Sequence, residues 1–105
     1  MAKLDNIIHQ TVRLQIMSSL VSLDQHERVN FTTLRRLLKL TDGNLGAHLT
    51  KLEQAGYIEI TKTFVARKPQ TFVRATGKGR DAFAEHVEAL KKIVEGSQPQ
   101  KETHS

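Results

Sequence analysis

The stretch that most constrains this chain is Thr41 to Gly56, TDGNLGAHLTKLEQAG, followed at once by the alternating run Tyr57 to Phe64. Leu45, Leu49 and Leu52 recur at i, i+4 and i+7, which makes one apolar stripe on a helix. Thr41 is a helix cap whose hydroxyl accepts a first-turn N–H, and Asp42 suits the positive end of the helix dipole. Gly56 stands where a helix end favours positive φ. The spacing therefore predicts a helix over 42–55. At about 100° per residue, the face opposite Leu45 holds Gly43, Ala47, Thr50 and Gln54, flanked by Asn44, Gly46 and Lys51. A glycine inside a helix costs about 1 kcal/mol relative to alanine. Two of them on a small, polar face suit close approach to another surface. An ordinary surface helix with two tolerated glycines is the plainer reading.

Length and charge narrow the choice of that surface. At 105 residues the chain makes one small domain, and dimerisation is a natural source of extra stability. It has no cysteine, which excludes disulfides and thiolate metal sites. No apolar run approaches a membrane span, and MAKLDN lacks a signal-peptide core, so a cytoplasmic protein is expected. Between Tyr57 and Arg80 lie Lys62, Arg67, Lys68, Arg74, Lys78 and Arg80 against the single acid Glu59. This segment thus carries the whole net charge of +5. A concentrated basic patch points to a polyanion, nucleic acid first. A merely solvated charged hairpin is the alternative.

In chain order, Leu4 to Leu23 reads as helical, with Val12, Ile16, Leu20 and Leu23 on one face, Met17 and Val21 beside it, and Ile7 and Ile8 in a separate short helix ahead of them. Arg28 to Phe31 reads as a very short strand. Thr32 is then the expected cap of a helix from Thr33 to Lys39, with Leu34, Leu37 and Leu38 inward and Arg35 and Arg36 outward. Two short helices joined by a tight turn make a helix-turn-helix. Tyr57 to Phe64 reads as a strand with Ile58, Ile60 and Phe64 on one face, Val65 to Gln70 as a basic tip, and Thr71 to Ala75 as the returning strand. Thr76 caps a last helix whose stripe is Phe83, Val87, Leu90 and Val94. Residues 96–105 read as a disordered tail after a domain over 1–95. The expected class is α+β, mainly helical, in the order α-α-β-α-α-β-β-α: a winged helix-turn-helix with a terminal helix whose stripe can pack on its own domain or on a second copy, the resemblance below making it a dimerisation helix.

These segments resemble a known family. Ile8 to Leu20, Phe31 to Ile60 and Arg67 to Phe83, in that order, are similar to small bacterial or archaeal winged-helix transcriptional regulators related to the MarR and ArsR repressors. The resemblance covers about nine tenths of the chain. Related repressors usually have proline where this chain has Thr11, which bears only on how the first helix begins. The resemblance implies a homodimer that binds a pseudo-palindromic operator and represses transcription. Its helix 42–55 would enter the major groove, and its wing 64–70 would follow the minor groove or the backbone. It places the dimer interface at Leu4, Ile7, Ile8, Phe83, Val87, Leu90 and Val94.

The expected DNA contacts follow from side-chain chemistry. Asn44 suits adenine and Ala47 a thymine methyl, while Thr50 and Lys51 suit phosphates. Gly43 and Gly46 permit the approach. Arg67 and Lys68 suit phosphates or a narrow minor groove, and Thr32, Thr33 and Arg36 the backbone. His48 falls at the edge between stripe and outer face. The other histidines are scattered, and Glu85, His86 and Glu88 do not form a metal set on one helix face. No cofactor motif, metal site or catalytic constellation is present in the sequence, so an enzyme is not expected. A protein-interaction winged helix without DNA binding is the competing class. It predicts a neutral or apolar outer face.

Overall fold

In the computed structural model, which describes residues 3–96, the elements run α1 (Thr11–Val21), β1 (Val29–Asn30), α2 (Phe31–Leu38), α3 (Asp42–Gln54), β2 (Ile58–Val65), β3 (Lys68–Ala75) and α4 (Gly77–Gly96). The three strands form one antiparallel sheet in the order β1-β3-β2. The core lies between α1, α3 and the base of the sheet and is built on Ile16, Met17, Leu20, Leu34, Leu45, Leu49, Leu52, Ile58 and Val73.

Where the elements depart from expectation, local capping explains it. The separate first helix is a single turn. Asp5 caps it, accepting from the N–H groups of Ile7 and Ile8 at 2.8 and 3.0 Å, and Gln10 then starts α1 afresh by accepting from Arg13 N–H. Thr11 therefore stands at the first helical position, where proline is well tolerated. Helix α2 begins two residues early because Asn30, extended and with its side chain accepting from Thr32 N–H, takes the cap in place of Thr32. The end of α2 is a Schellman closure, with Leu40 N–H on the Arg35 carbonyl and Lys39 N–H on that of Arg36. Lys39 adopts φ +56° there, a conformation the sequence does not advertise. Leu37, expected inward, is 64% exposed, since this short helix turns Phe31, Leu34 and Leu38 toward the core.

Helix α3 follows its sequence closely. Thr41 Oγ1 accepts from Asn44 N–H, and Leu45, Leu49 and Leu52 are buried. Its exit repeats the same closure: Tyr57 N–H reaches the Leu52 carbonyl at 3.0 Å across Gly56, whose φ is +80°.

The hairpin is longer and tighter than expected. Its strands pair over eight rungs, from Ile58 opposite Ala75 to Val65 opposite Lys68. The basic tip shrinks to a two-residue turn, Ala66-Arg67, both at positive φ. Phe64, expected to face the core, is 73% exposed because its rung lies beyond the body of the domain.

Helix α4 is seated by a cluster of contacts at its start. Thr76 Oγ1 donates to the Gly56 carbonyl and accepts from Gly79 N–H, while Thr76 N–H donates to the Tyr57 carbonyl. Arg80 donates to the carbonyls of Val21, Leu23 and Asp24, covering the exposed end of α1. Further along, His86 rather than the expected stripe reaches the interior. It is fully buried, and its Nδ1 accepts from Asp5 N–H at 2.9 Å, leaving the proton of the neutral ring on Nε2. Asp5 also accepts the Tyr57 hydroxyl hydrogen bond, which pushes the phenol up to about 12. Phe83, Val87 and Leu90 are half-buried, and Val94 is exposed. Gly96 belongs to α4. The remainder of the expected tail, residues 97–105, lies outside the described residues.

Two stability measurements follow. A Cβ at Gly79 would lie 2.0 Å from the Tyr57 carbonyl oxygen and 2.8 Å from its carbon, both backbone atoms. Gly79→Ala should therefore cost about 2–3 kcal/mol by overpacking, read as a lowered urea midpoint. Burial holds the His86 ring below the usual histidine range, and the nearby His9 acts in the same direction. Near and below pH 6.5 the unfolded chain binds a proton that the folded chain resists, so this contribution is full above that range and is lost on acidification. His86→Asn, which keeps an acceptor for Asp5 N–H, should flatten the fall in urea midpoint between pH 7.5 and 5.5.

Candidate nucleic-acid interface

The expected contact residues lie on the outer face of α3, in α2 and at the tip of the hairpin. Because α3 buries its leucine stripe, its opposite face is turned outward, and Gly43, Asn44, Ala47, Thr50, Lys51 and Gln54 are all exposed. No atom lies within 4 Å of a Cβ built at Gly43 or Gly46, so these positions are small without any packing need inside the domain. Thr50 Oγ1 donates back to the Gly46 carbonyl, which settles its rotamer along the helix.

Helix α2 is held against the start of α3 by the Schellman turn and by an ion pair between Arg35 Nε and Asp42 Oδ1 at 2.9 Å. Asp42 is open to solvent, so this pair orients the turn more than it stabilises it. Thr32 and Thr33 occupy the first turn of α2 and are exposed, as is Arg36. Asn30 uses both ends of its amide: the oxygen caps α2, and the nitrogen donates to Gln70 Oε1 on β3. The start of α2 and the wing are thereby tied together.

The hairpin supplies the charge. Arg67 sits in the two-residue turn and Lys68 begins β3, both exposed. Arg74 is engaged with Glu59 at 3.3 Å and with the Gln25 carbonyl, and Arg80 with the end of α1, so these two cations serve the fold. Lys62 projects into a groove of about 260 Å³ between α3 and the sheet, lined also by Gly46, Leu49, Thr50, Ile60 and Thr71. In the sequence Lys62 shows only as part of the charge of the basic segment. Its place in the groove follows from its even register on β2, alongside Ile60.

His48 lies at the boundary expected of it. Its Nδ1 accepts from Arg13 at 3.3 Å, and the same guanidinium donates to the Ile7 carbonyl. Burial, followed by the Arg13 charge, lowers its pKa, so the ring is neutral. Arg13 thus links the N-terminal turn to the back edge of α3.

The expected dimer residues separate into two groups. Ile8 is fully buried in the domain's own core and is unavailable to a partner. Leu4 and Ile7 are half-buried, and α4 continues past the domain with residues 91–96 exposed.

With this geometry established, comparison with known proteins places the chain. A family model described as winged helix DNA-binding domain matches residues 12–94. An uncharacterized protein of Methanocaldococcus jannaschii is 38% identical over 81 residues, which covers 77% of this chain and 85% of the relative. The solved structure of a transcriptional regulator homologue from Pyrococcus horikoshii superposes with a TM-score of 0.81 at 29% identity, covering 90% of this chain and 91% of that one. The regulator BldR from Sulfolobus solfataricus shares the fold at a TM-score of 0.64 and 22% identity, over 85% and 61% of the two chains. The chain belongs to the winged helix DNA-binding domain family and shares its fold with solved transcriptional regulators.

Proposed function

We propose that this protein is a homodimeric, sequence-specific regulator of transcription that binds duplex DNA and acts as a repressor. The observation that carries the reading is the outer face of α3, small and polar along its length and set beside a basic hairpin. In this reading α3 lies in the major groove. Asn44 reads a base edge near the helix N-terminus, Ala47 meets a thymine methyl, and Thr50 and Lys51 hold phosphates. Gly43 and Gly46 let the backbone come close. Arg67 and Lys68 place charge at the adjoining minor groove, and Thr32, Thr33 and Arg36 bracket the backbone on the other side.

The projecting end of α4 supports the dimer. Leu90 and Val94, with Phe83 and Val87 nearer the domain and Leu4 and Ile7 at its root, make the contact surface for a second copy. Two α3 helices then address two half-sites of a pseudo-palindrome. The polar face of α3 and the cationic tip argue against a protein-interaction module.

The test is a titration against a duplex selected from a randomised pool, beside a scrambled duplex, across a salt series. Binding should weaken steeply with salt. Asn44→Ala should erase most of the preference for the selected duplex, a loss of about 1–3 kcal/mol. Arg67→Ala should weaken both duplexes alike and lower the salt slope by about one. No binding of either duplex at low salt overturns the reading.

Gly46 separates folding from binding in one residue. Its Cβ position is empty, so Gly46→Ala should raise stability by about 0.5–1 kcal/mol through helix propensity. The same methyl stands in the path of the DNA and should weaken binding. A calorimetric melt and a binding isotherm on the one variant check both signs.

A further inference from the structure

Phe64 is the most exposed large hydrophobic residue among the described residues, at 73%, and its neighbour Val65 is 50% exposed. Its placement is set by the ladder. Phe64 pairs with Pro69, and the rungs on the same face are Lys62 opposite Thr71 and Ile60 opposite Val73. Ile60, Lys62 and Thr71 line the groove shared with Gly46 and Thr50 of α3. The Phe64–Pro69 rung therefore continues that face outward by one further step of two residues, about 7 Å along the strand. It stands on the α3 side of the hairpin, just before the turn. From Ile60 to Thr71 the hairpin carries Lys62, Arg67 and Lys68 and no acid. An apolar rung framed by three cations does not suit another apolar core, but it does suit a surface of sugar rings lined by phosphates.

We propose that Phe64, backed by Pro69, is an apolar wedge that the wing inserts into the DNA minor groove, where it contacts the deoxyribose walls and opens a deformable base step. The proposal rests on the DNA-binding reading above and adds a residue to it that makes no phosphate contact. Phosphate contacts alone need only the cations, and a ring at this rung adds nothing to the core. Side chains inserted into the minor groove kink the duplex, most easily at flexible pyrimidine–purine steps. The wedge thus supplies a preference for flexible flanking sequence that α3 does not read.

The experiment uses the full chain and the duplex selected above, labelled at its two ends for energy transfer, with the flank under the wing carrying either TpA steps or an A-tract. The wild type should shorten the end-to-end distance and favour the TpA flank. Phe64→Ala should lose the bend and the flank preference, bind about tenfold more weakly, and keep the salt slope. Phe64→Leu should restore most of the bend. Because Phe64 is exposed, both variants should keep the wild-type unfolding midpoint, which removes misfolding as an explanation. Phe64→Ala with full bend and affinity overturns the wedge and leaves the α3 reading intact. A variant that bends DNA normally but no longer forms larger assemblies overturns it in favour of self-association. Wild-type protein that binds no duplex overturns the wedge and the DNA reading together.

Discussion

The contact on which this domain depends is the meeting of α4 with the backbone at Gly56 and Tyr57. Four chain segments converge there: the exit of α3, the entry to β2, the exit of β3 and the start of α4. Thr76 closes the junction with three hydrogen bonds, to Gly56, Tyr57 and Gly79. Gly79 has no side chain because the Tyr57 carbonyl occupies that space. Arg80 and the Asp5–Tyr57 contact extend the closure to α1 and the N-terminal turn. Each of these contacts is polar and most are partly withdrawn from water, where a lost partner costs more than a formed bond gains. The junction therefore behaves as one unit that fixes the angle between α3, the hairpin and α4.

That geometry explains why the core can be small. The leucine stripe of α3 is spent entirely on the interior, and Ile16, Met17 and Leu20 of α1 meet it from behind. No packing demand reaches the outer face, which is free to be glycine-rich and polar. The ties at the edges then matter more than their individual strengths. Asn30 binds the wing to α2, and Arg13 binds His48 to the N-terminal turn, so the surfaces that would face DNA are braced from their flanks.

Much of this was legible in the sequence, for physical reasons. Thr41 and Thr76 are caps whose chemistry is local. The leucine stripe has a period that only one element satisfies, and Gly56 marks a positive φ. What the sequence hid depends on distance. His86 looks like one of several scattered histidines until Asp5, 81 residues away, donates to it. Ile8 reads as open to either the core or a partner, and the resemblance assigns it to the partner, because the capped turn that folds it inward needs Asp5 in place. Lys39 takes a left-handed conformation that glycine usually marks. The two-residue turn at Ala66-Arg67 lacks the asparagine–glycine signature of such turns, so the tip reads as a longer loop. Phe64 alternates correctly for a buried face, yet period two says nothing about where the body of the domain ends.

The same limit explains the character of the wing. An apolar, period-two strand is read as core wherever it lies, but a hairpin eight rungs long carries its pattern beyond the layer that can cover it. Its inner rungs pack under α3, and its last two rungs, Phe64–Pro69 and Val65–Lys68, keep the alternation while exposed. A hairpin that merely delivered charge could end at Lys62 and a flexible basic loop. This one instead continues pairing to Val65 and Lys68 and closes in the tightest available turn. Such pairing limits the freedom of the outer rungs to bend away under load. A wedge must resist the stiffness of the duplex it opens, and a hairpin tied to the β1 edge and to α2 through Asn30 is braced for that load. The sheet thus serves two purposes with one strand pair: the inner half is part of the fold, and the outer half is held out in solvent for the contact proposed above.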